Sequence, residues 1–230
     1  MRLGGVLTAL VTPFDEAGSL DLSALGRHVD RLLAAGVRGF FACGTTGEGA
    51  LLDKEEKQQV IATVCNHAGA DALVVAAAIQ PDTRGAIEEA RAHAEAGAKY
   101  IAVVAPYYIR VDQAELVAHF TSVADASRVP VVAYDIPGNT ANPLNDEIYD
   151  RILSHENIIG VKDSSGDFSR FSRRLIAQRQ SGEDGVDWIQ GEDTLDSAAL
   201  LAGASGVVSG LSNILPEPFV GMVEAAMNGD

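Results

Sequence analysis

Apolar and polar positions along the chain fall into two alternating textures. Short β-branched runs occupy 6–11, 37–44, 73–79, 100–106, 129–137, 158–164, 186–191 and 206–213. Most are apolar throughout, without the alternation that a half-exposed sheet imposes, so they read as parallel strands covered on both faces. Between the first two runs, Leu22, Leu25, Val29, Leu32 and Leu33 keep the three-and-four spacing of an amphipathic helix, and Gly36 supplies its stop. Asp53 with Glu56 spells a capping box that opens the next helix, with Val60, Ile61 and Val64 as its buried stripe. Asp112 with Glu115 repeats the device ahead of Leu116, Val117, Phe120 and Val123.

About eight strands and eight helices alternate in this way, and no low-complexity or Pro/Gly-rich break separates them, so 1–230 reads as a single domain. An open doubly wound sheet would carry G-x-G-x-x-G after its first strand, where this chain has TPFDEAGS. The expected fold is therefore α/β, a closed (β/α)8 TIM barrel, whose chemistry sits at the C-terminal ends of the strands.

Charge narrows the partners. Lys and Arg number 17 against 32 Asp and Glu, a net −15, and such a field repels nucleic acid and anionic membrane alike. A small anionic substrate is still compatible, because a pocket can present N–H donors whatever the charge outside. Cys43 and Cys65 show no metal-ligand spacing, no basic leader with an apolar segment opens the chain, and no apolar run is long enough to span a bilayer. A cytoplasmic protein is expected, with no metal and no membrane partner.

At the strand ends, GTTGE (44–48) brackets two threonines with glycines, a layout that can point N–H groups and hydroxyls at a small carboxylate; it is also compatible with an ordinary βα loop. PYY places Tyr107 and Tyr108 after the fourth run, where tyrosines commonly rim a barrel. Tyr134 lies inside VVAYDIPGNT, as either a core tyrosine or a proton carrier. Lys162 follows four apolar residues in IIGVKDSSGD. Lysines at strand ends are mostly solvated, but this one enters at a barrel mouth beside Tyr134 on the neighbouring strand. Desolvation there disfavours the charged amine and frees it as a nucleophile toward a carbonyl. Lysine, phenol and neutral cradle together describe Schiff-base chemistry on a 2-oxo acid.

Rival signatures are absent: the sequence has no H-E-x-x-H, C-x-x-C, G-x-S-x-G or Walker loop. The five histidines are scattered and read as surface or helix-face residues. Asp15 with Glu16, and Asp163 with Asp167, read as solvated turn residues, Asp167 also as a helix cap.

The ordered set LTALVTPFDEAGSLD, GTTGE, APYY, AYDIPGNT, GVKDSSGD, QGED and GVVSGLSN resembles the dihydrodipicolinate synthase / N-acetylneuraminate lyase family of class I pyruvate-dependent aldolases. The resemblance implies that Lys162 forms the Schiff base without any cofactor, that Tyr134 relays protons, and that Thr45 and Thr46 bind the pyruvoyl carboxylate, Thr45 also within the relay. It implies that Tyr108 is lent across a subunit interface in a homo-oligomer, and that Gly191 and Val208 line the pocket.

Two departures stand out. The lysine-pathway synthases usually carry an arginine two residues after the proline of the tyrosine loop, where this chain has Asn139. Family chains also commonly continue for several helices past the eighth strand, so the C-terminal helical extension is expected to be largely absent here, leaving assembly open. Ser164 and Asp193 stand where sialic-acid lyases hold the sugar tail, but Thr194 and Gly210 replace their glutamate and serine. The expected reaction is reversible cleavage of a 2-keto-3-deoxy sugar acid to pyruvate and an aldehyde, with Asn139, Ser164 and Asp193 as hydroxyl partners. The alternatives are 4-hydroxy-tetrahydrodipicolinate synthase, joining pyruvate to aspartate semialdehyde, and a non-catalytic 2-oxo acid-binding barrel.

Overall fold

The computed structural model describes residues 3–182 and 185–229; residues 1, 2, 183, 184 and 230 of the expected 1–230 domain lie outside that set. Eight parallel strands, β1 (Gly5–Ala9), β2 (Gly39–Ala42), β3 (Leu73–Ala78), β4 (Tyr100–Val104), β5 (Val131–Asp135), β6 (Ile158–Asp163), β7 (Asp187–Gln190) and β8 (Gly206–Ser209), pair in chain order. β8 returns to β1 with Gly206 beside Gly5, which closes the (β/α)8 barrel.

The uniform apolarity of the strands now resolves into two sets by parity. Leu7, Phe41, Val75, Ala77, Ala102, Val104, Val132, Tyr134, Ile189 and Val208 belong to one cluster, which fills the barrel interior. Their chain neighbours Phe40, Ala76, Val103, Ala133, Val161 and Trp188 belong to the other, which packs against the surrounding helices.

Those helices are α1 (Leu22–Ala34), α2 (Lys54–Ala68), α3 (Thr83–Glu95), α4 (Gln113–Ala126), α5 (Pro137–Thr140), α6 (Asp146–Leu153), α7 (Phe168–Ser181), α8 (Asp196–Ala202) and α9 (Pro216–Asn228). Side-chain oxygens of Asp21, Asp53, Asp82, Asp112, Asn145 and Asp167 accept from first-turn N–H groups and fix where α1, α2, α3, α4, α6 and α7 begin, each cap being worth about 1 kcal/mol. Both expected capping boxes form, and Asp167 caps α7 as expected.

Several expected strands are too long at their C-terminal ends. The run 206–213 stays extended only to Ser209, and Leu211–Asn213 winds into a 3-10 turn. The run 129–137 yields its last residue to α5, where Pro137 at the first helical position suits a helix start. Because β5 is followed by two helices, the described residues hold nine rather than eight.

Two of the histidines take the helix-face alternative rather than the surface one. His93 and His119 are buried, with ring nitrogens 3.2 Å from the Ala77 carbonyl and 3.0 Å from that of Val104, so each ties its helix to a strand. Burial pushes both down to about 4, so they pack as neutral rings. Nearby, the buried Lys57 amine pairs with Glu89, whose other oxygen accepts from Ile79 N at 2.7 Å.

Candidate active site

The site grows from the ends of β5 and β6. Tyr134 and Lys162 are register partners on these neighbouring strands, and parity turns both toward the barrel interior. Lys162 is 4% exposed and Tyr134 2%. The lysine amine lies 3.7 Å from the centroid of the Tyr134 ring and 4.2 Å from that of Phe41. The two rings meet edge to face, 5.6 Å apart at 85°, and form an aromatic seat that holds the amine at a fixed place.

Burial acts to raise the Tyr134 phenol, but the Lys162 charge and hydrogen bonds with Lys162, Thr45 and Ser164 together outweigh it. The result is a phenol held below its ordinary value. Thr45 Oγ1 stands 3.4 Å from the Tyr134 hydroxyl, so lysine, phenol and threonine form a connected path for a proton.

Thr45 and Thr46 sit on a loop whose shape is tightly specified. Cys43 and Glu48 are non-glycine residues at φ 54° and 56°, an uncommon region that costs backbone strain. Thr12 Oγ1 donates to the Gly47 carbonyl at 2.6 Å, and a Cβ on Gly49 would strike the Cys43 carbonyl oxygen. Thr46 and Asp193 flank Gly210, where a Cβ would stand 3.8 Å from Thr46 Oγ1 and 3.6 Å from Asp193 Oδ2. Asp193 Oδ2 accepts from Leu211 N at 3.1 Å. Behind it, burial together with the charges of Asp193 and Glu192 pushes the Asp196 carboxyl up to about 8.

Gly191 and Ser164 close the other side. Ser164 Oγ donates to the Gly191 carbonyl at 3.2 Å. A Cβ on Gly191 would collide with Ser164 Oγ and come within 2.9 Å of Lys162 Cε. Gly191→Ala is therefore expected to keep the barrel while displacing the lysine, cutting kcat by about 10–100-fold, the scale of a sub-ångström to 1 Å misplacement. Unchanged kcat in the folded variant would show that the lysine does not depend on that space.

The remaining expected residues are more dispersed. Val208 is buried in the barrel interior among the same cluster as Tyr134. Asn139 is exposed on α5, its backbone N–H donating to Ile136 O at 3.0 Å. Tyr108 is 94% exposed at φ 72°, on the loop after β4 and outside the lysine–phenol–threonine cluster.

One expectation is overturned: Asp163 is not a solvated turn residue but 1% exposed, with Ser165 N donating to it at 2.8 Å and Arg170 3.5 Å away. The residue after an inward strand residue faces the helices, and there a carboxylate needs partners. Phe41 was also missed, because GFFACG offers two adjacent phenylalanines and only register tells which turns inward. Among the described residues, no group of three or more His, Cys, Asp or Glu is placed to hold a metal ion, and no helix is long and apolar enough to cross a membrane.

Comparison with known proteins identifies the family. A family model described as the dihydrodipicolinate synthetase family matches residues 2–230. A 4-hydroxy-tetrahydrodipicolinate synthase of Methanospirillum hungatei is 37% identical over 98% of this chain and 77% of its own. Another, from Corynebacterium aurimucosum, is 40% identical over 99% of this chain and 73% of its own. Among solved structures, chloride-inhibited dihydrodipicolinate synthase from Acinetobacter baumannii, complexed with pyruvate, superposes with a TM-score of 0.95 at 30% identity, covering 100% of this chain and 77% of that one. CdNal from Clostridium difficile, in complex with mannosamine, shares the fold at a TM-score of 0.92 and 21% identity over 99% of this chain and 77% of that one. By its barrel, its motifs and these relatives, the chain belongs to the dihydrodipicolinate synthetase family of class I aldolases.

Proposed function

We propose that this aldolase forms an imine between Lys162 and the ketone of pyruvate, with the carboxylate held by the Thr45–Thr46 loop and protons passed through Tyr134. The carrying observation is the buried lysine amine seated on two aromatic rings, one of which belongs to the phenol that shares a hydrogen bond with Thr45. Attack by the neutral amine and loss of water would give an iminium, whose positive nitrogen accepts the electron pair of a C–H or C–C bond broken at the adjacent carbon; the enamine so formed gives that pair to the aldehyde carbon when a bond is made. No cofactor is needed for that step, since the electron sink is built from the protein's own amine.

For the second substrate, condensation with aspartate semialdehyde takes precedence over the sugar-acid cleavage expected from the sequence. The relatives at 37–40% identity bear the name of the synthase, and this supports that reading. Asn139 favours the other one. An arginine offers a charged, two-pronged fork to a carboxylate, whereas an asparagine offers a single neutral amide suited to a hydroxyl. Losing a charge-assisted pair is worth about 1.5–3 kcal/mol, roughly ten- to a hundredfold.

The discriminating measurement is kcat/KM for aspartate semialdehyde condensation and for cleavage of a 2-keto-3-deoxy sugar acid in one preparation, repeated with Asn139→Arg. The synthase reading expects the first to exceed the second in the wild type. A reversed order, with roughly tenfold or greater gain toward the semialdehyde in the arginine variant, would establish the sugar-acid reading instead. Assembly into a homo-oligomer is part of the same proposal, with the exposed Tyr108 as the residue offered across the interface; sedimentation of the wild type against Tyr108→Ala tests it.

A further inference from the structure

Asp135 and Asp163 directly follow Tyr134 and Lys162 in the chain, and they too are register partners. Alternation sends them to the opposite face, between sheet and helices, where both are 1% exposed. Two carboxylates side by side on strands about 4.8 Å apart repel each other, and burial magnifies the repulsion. Burial pushes Asp135 up to about 6, with Asp163 adding to the rise and Tyr149 and Arg170 pulling against it.

The compensation comes from Arg170 on α7. Its Nη2 donates to Asp135 Oδ2 at 2.7 Å and lies 3.5 Å from Asp163 Oδ2, while Nη1 donates to the Leu144 carbonyl at 2.6 Å. Tyr149 on α6 donates to the same Asp135 oxygen at 2.8 Å, and Leu144 N to the other at 3.3 Å. One guanidinium thus spans both carboxylates directly behind the pair that faces the substrate.

The ladder beneath that pair is irregular. Val131 lies opposite Ile158 but Val132 opposite Gly160, so the register shifts two positions before Tyr134. Such a shift bends the strand locally, and the backbone below it does not by itself fix how the strand tips align.

We propose that Arg170 is a positioning residue for the imine chemistry: by tying Asp135 to Asp163 behind the sheet, it fixes the alignment of the Tyr134 hydroxyl with the Lys162 amine in front of it. The inference rests on Lys162 being the imine-forming residue. It goes beyond that reading, because a residue that never meets the substrate is assigned part of the rate.

Arg170→Met, Arg170→Lys and the double variant Arg170→Met/Asp163→Asn test it, the last removing the unpaired facing charge to recover stability. Wild type is first treated with pyruvate and borohydride. For Arg170→Met we expect kcat to fall about 10–100-fold with KM for pyruvate within about threefold, since the threonine loop is untouched. Arg170→Lys, which keeps the charge but not the fork, should fall between. The double variant should regain melting temperature without regaining kcat. Wild-type kcat in a folded Arg170→Met, or kcat that recovers together with melting temperature in the double, would overturn the proposal. If Arg170→Met does not fold, the lysine and double variants decide by the same criteria. A wild type that forms no adduct overturns the imine reading and this inference with it; a wild type that is trapped beside unaffected variants overturns this inference alone.

Discussion

Borohydride added together with pyruvate is expected to leave one reduced pyruvoyl group on Lys162 and to end turnover, while either reagent alone leaves the protein active. The expectation rests on where the amine sits. It is 4% exposed and held over the rings of Phe41 and Tyr134, so it is not a freely solvated surface lysine. It stands near the C-terminal end of β6, where the proposed mechanism has the threonine loop present the ketone. Lys57 is an internal control. It is buried to a similar degree, but its amine is paired with Glu89 beneath α2 and α3 and should not be labelled. Peptide mapping after reduction distinguishes the two. Lys162→Ala should lose the adduct and fall to the uncatalysed background while still melting cooperatively, since a shorter apolar side chain leaves the Asp135–Arg170 contacts behind the strand in place. An adduct on another lysine, or none in folded wild type, would remove Lys162 from the mechanism.

How much of this was legible beforehand follows from what kind of interaction each feature uses. Capping is local, so Asp53 with Glu56 and Asp112 with Glu115 could be read directly, and they set α2 and α4 where expected. The pairing of Tyr134 with Lys162 was also accessible, because consecutive βα units place their strands side by side and both residues end apolar runs. Parity was not accessible. When both faces of a strand are buried, the period-2 signal vanishes, so neither the inward turn of Phe41 nor the outward turn of Asp163 can be told from composition. The guanidinium that compensates Asp163 arrives from α7, and only the folded barrel brings Arg170 to it. Strand ends were overextended for a related reason. The residues past Ser209, Gly210 to Asn213, include no proline or charge to end an extended reading, but the chain there has left the ladder and turns to let Asn213 donate to the Ala9 carbonyl at 2.7 Å.

A net charge of −15 makes the neutral threonine loop physically informative. A carboxylate substrate approaching this surface is repelled, and holding it with an arginine would place a competing cation beside an amine that must be uncharged to attack. In the proposed mechanism, hydroxyls and N–H groups of the Thr45–Thr46 loop would hold the carboxylate without that interference. Arg170 lies on the far side of the sheet from the lysine and is already bound to two carboxylates.

Tyr134→Phe is the second variant with a large expected effect, and it separates binding from proton transfer. The phenylalanine ring can keep the edge-to-face contact with Phe41 and the face beneath the Lys162 amine, so the fold and the seat of the nucleophile should persist. What disappears is the hydroxyl bonded with Thr45, and with it the group that can accept a proton from the attacking amine and return it to the departing oxygen. The expected loss is about 10²–10⁴ in kcat, with pyruvate affinity nearly unchanged. The pH profile carries a second readout. In the wild type, the Lys162 charge and the hydrogen bonds outweigh burial and hold the phenol below its ordinary value of about 10, so the step that needs its proton should fail below that pH as the medium becomes alkaline. In Tyr134→Phe the residual rate should lose that alkaline limb. Near-normal turnover in the variant, or an unchanged alkaline limb, would return Tyr134 to the role of a packed core tyrosine and leave Thr45 without a proton to relay.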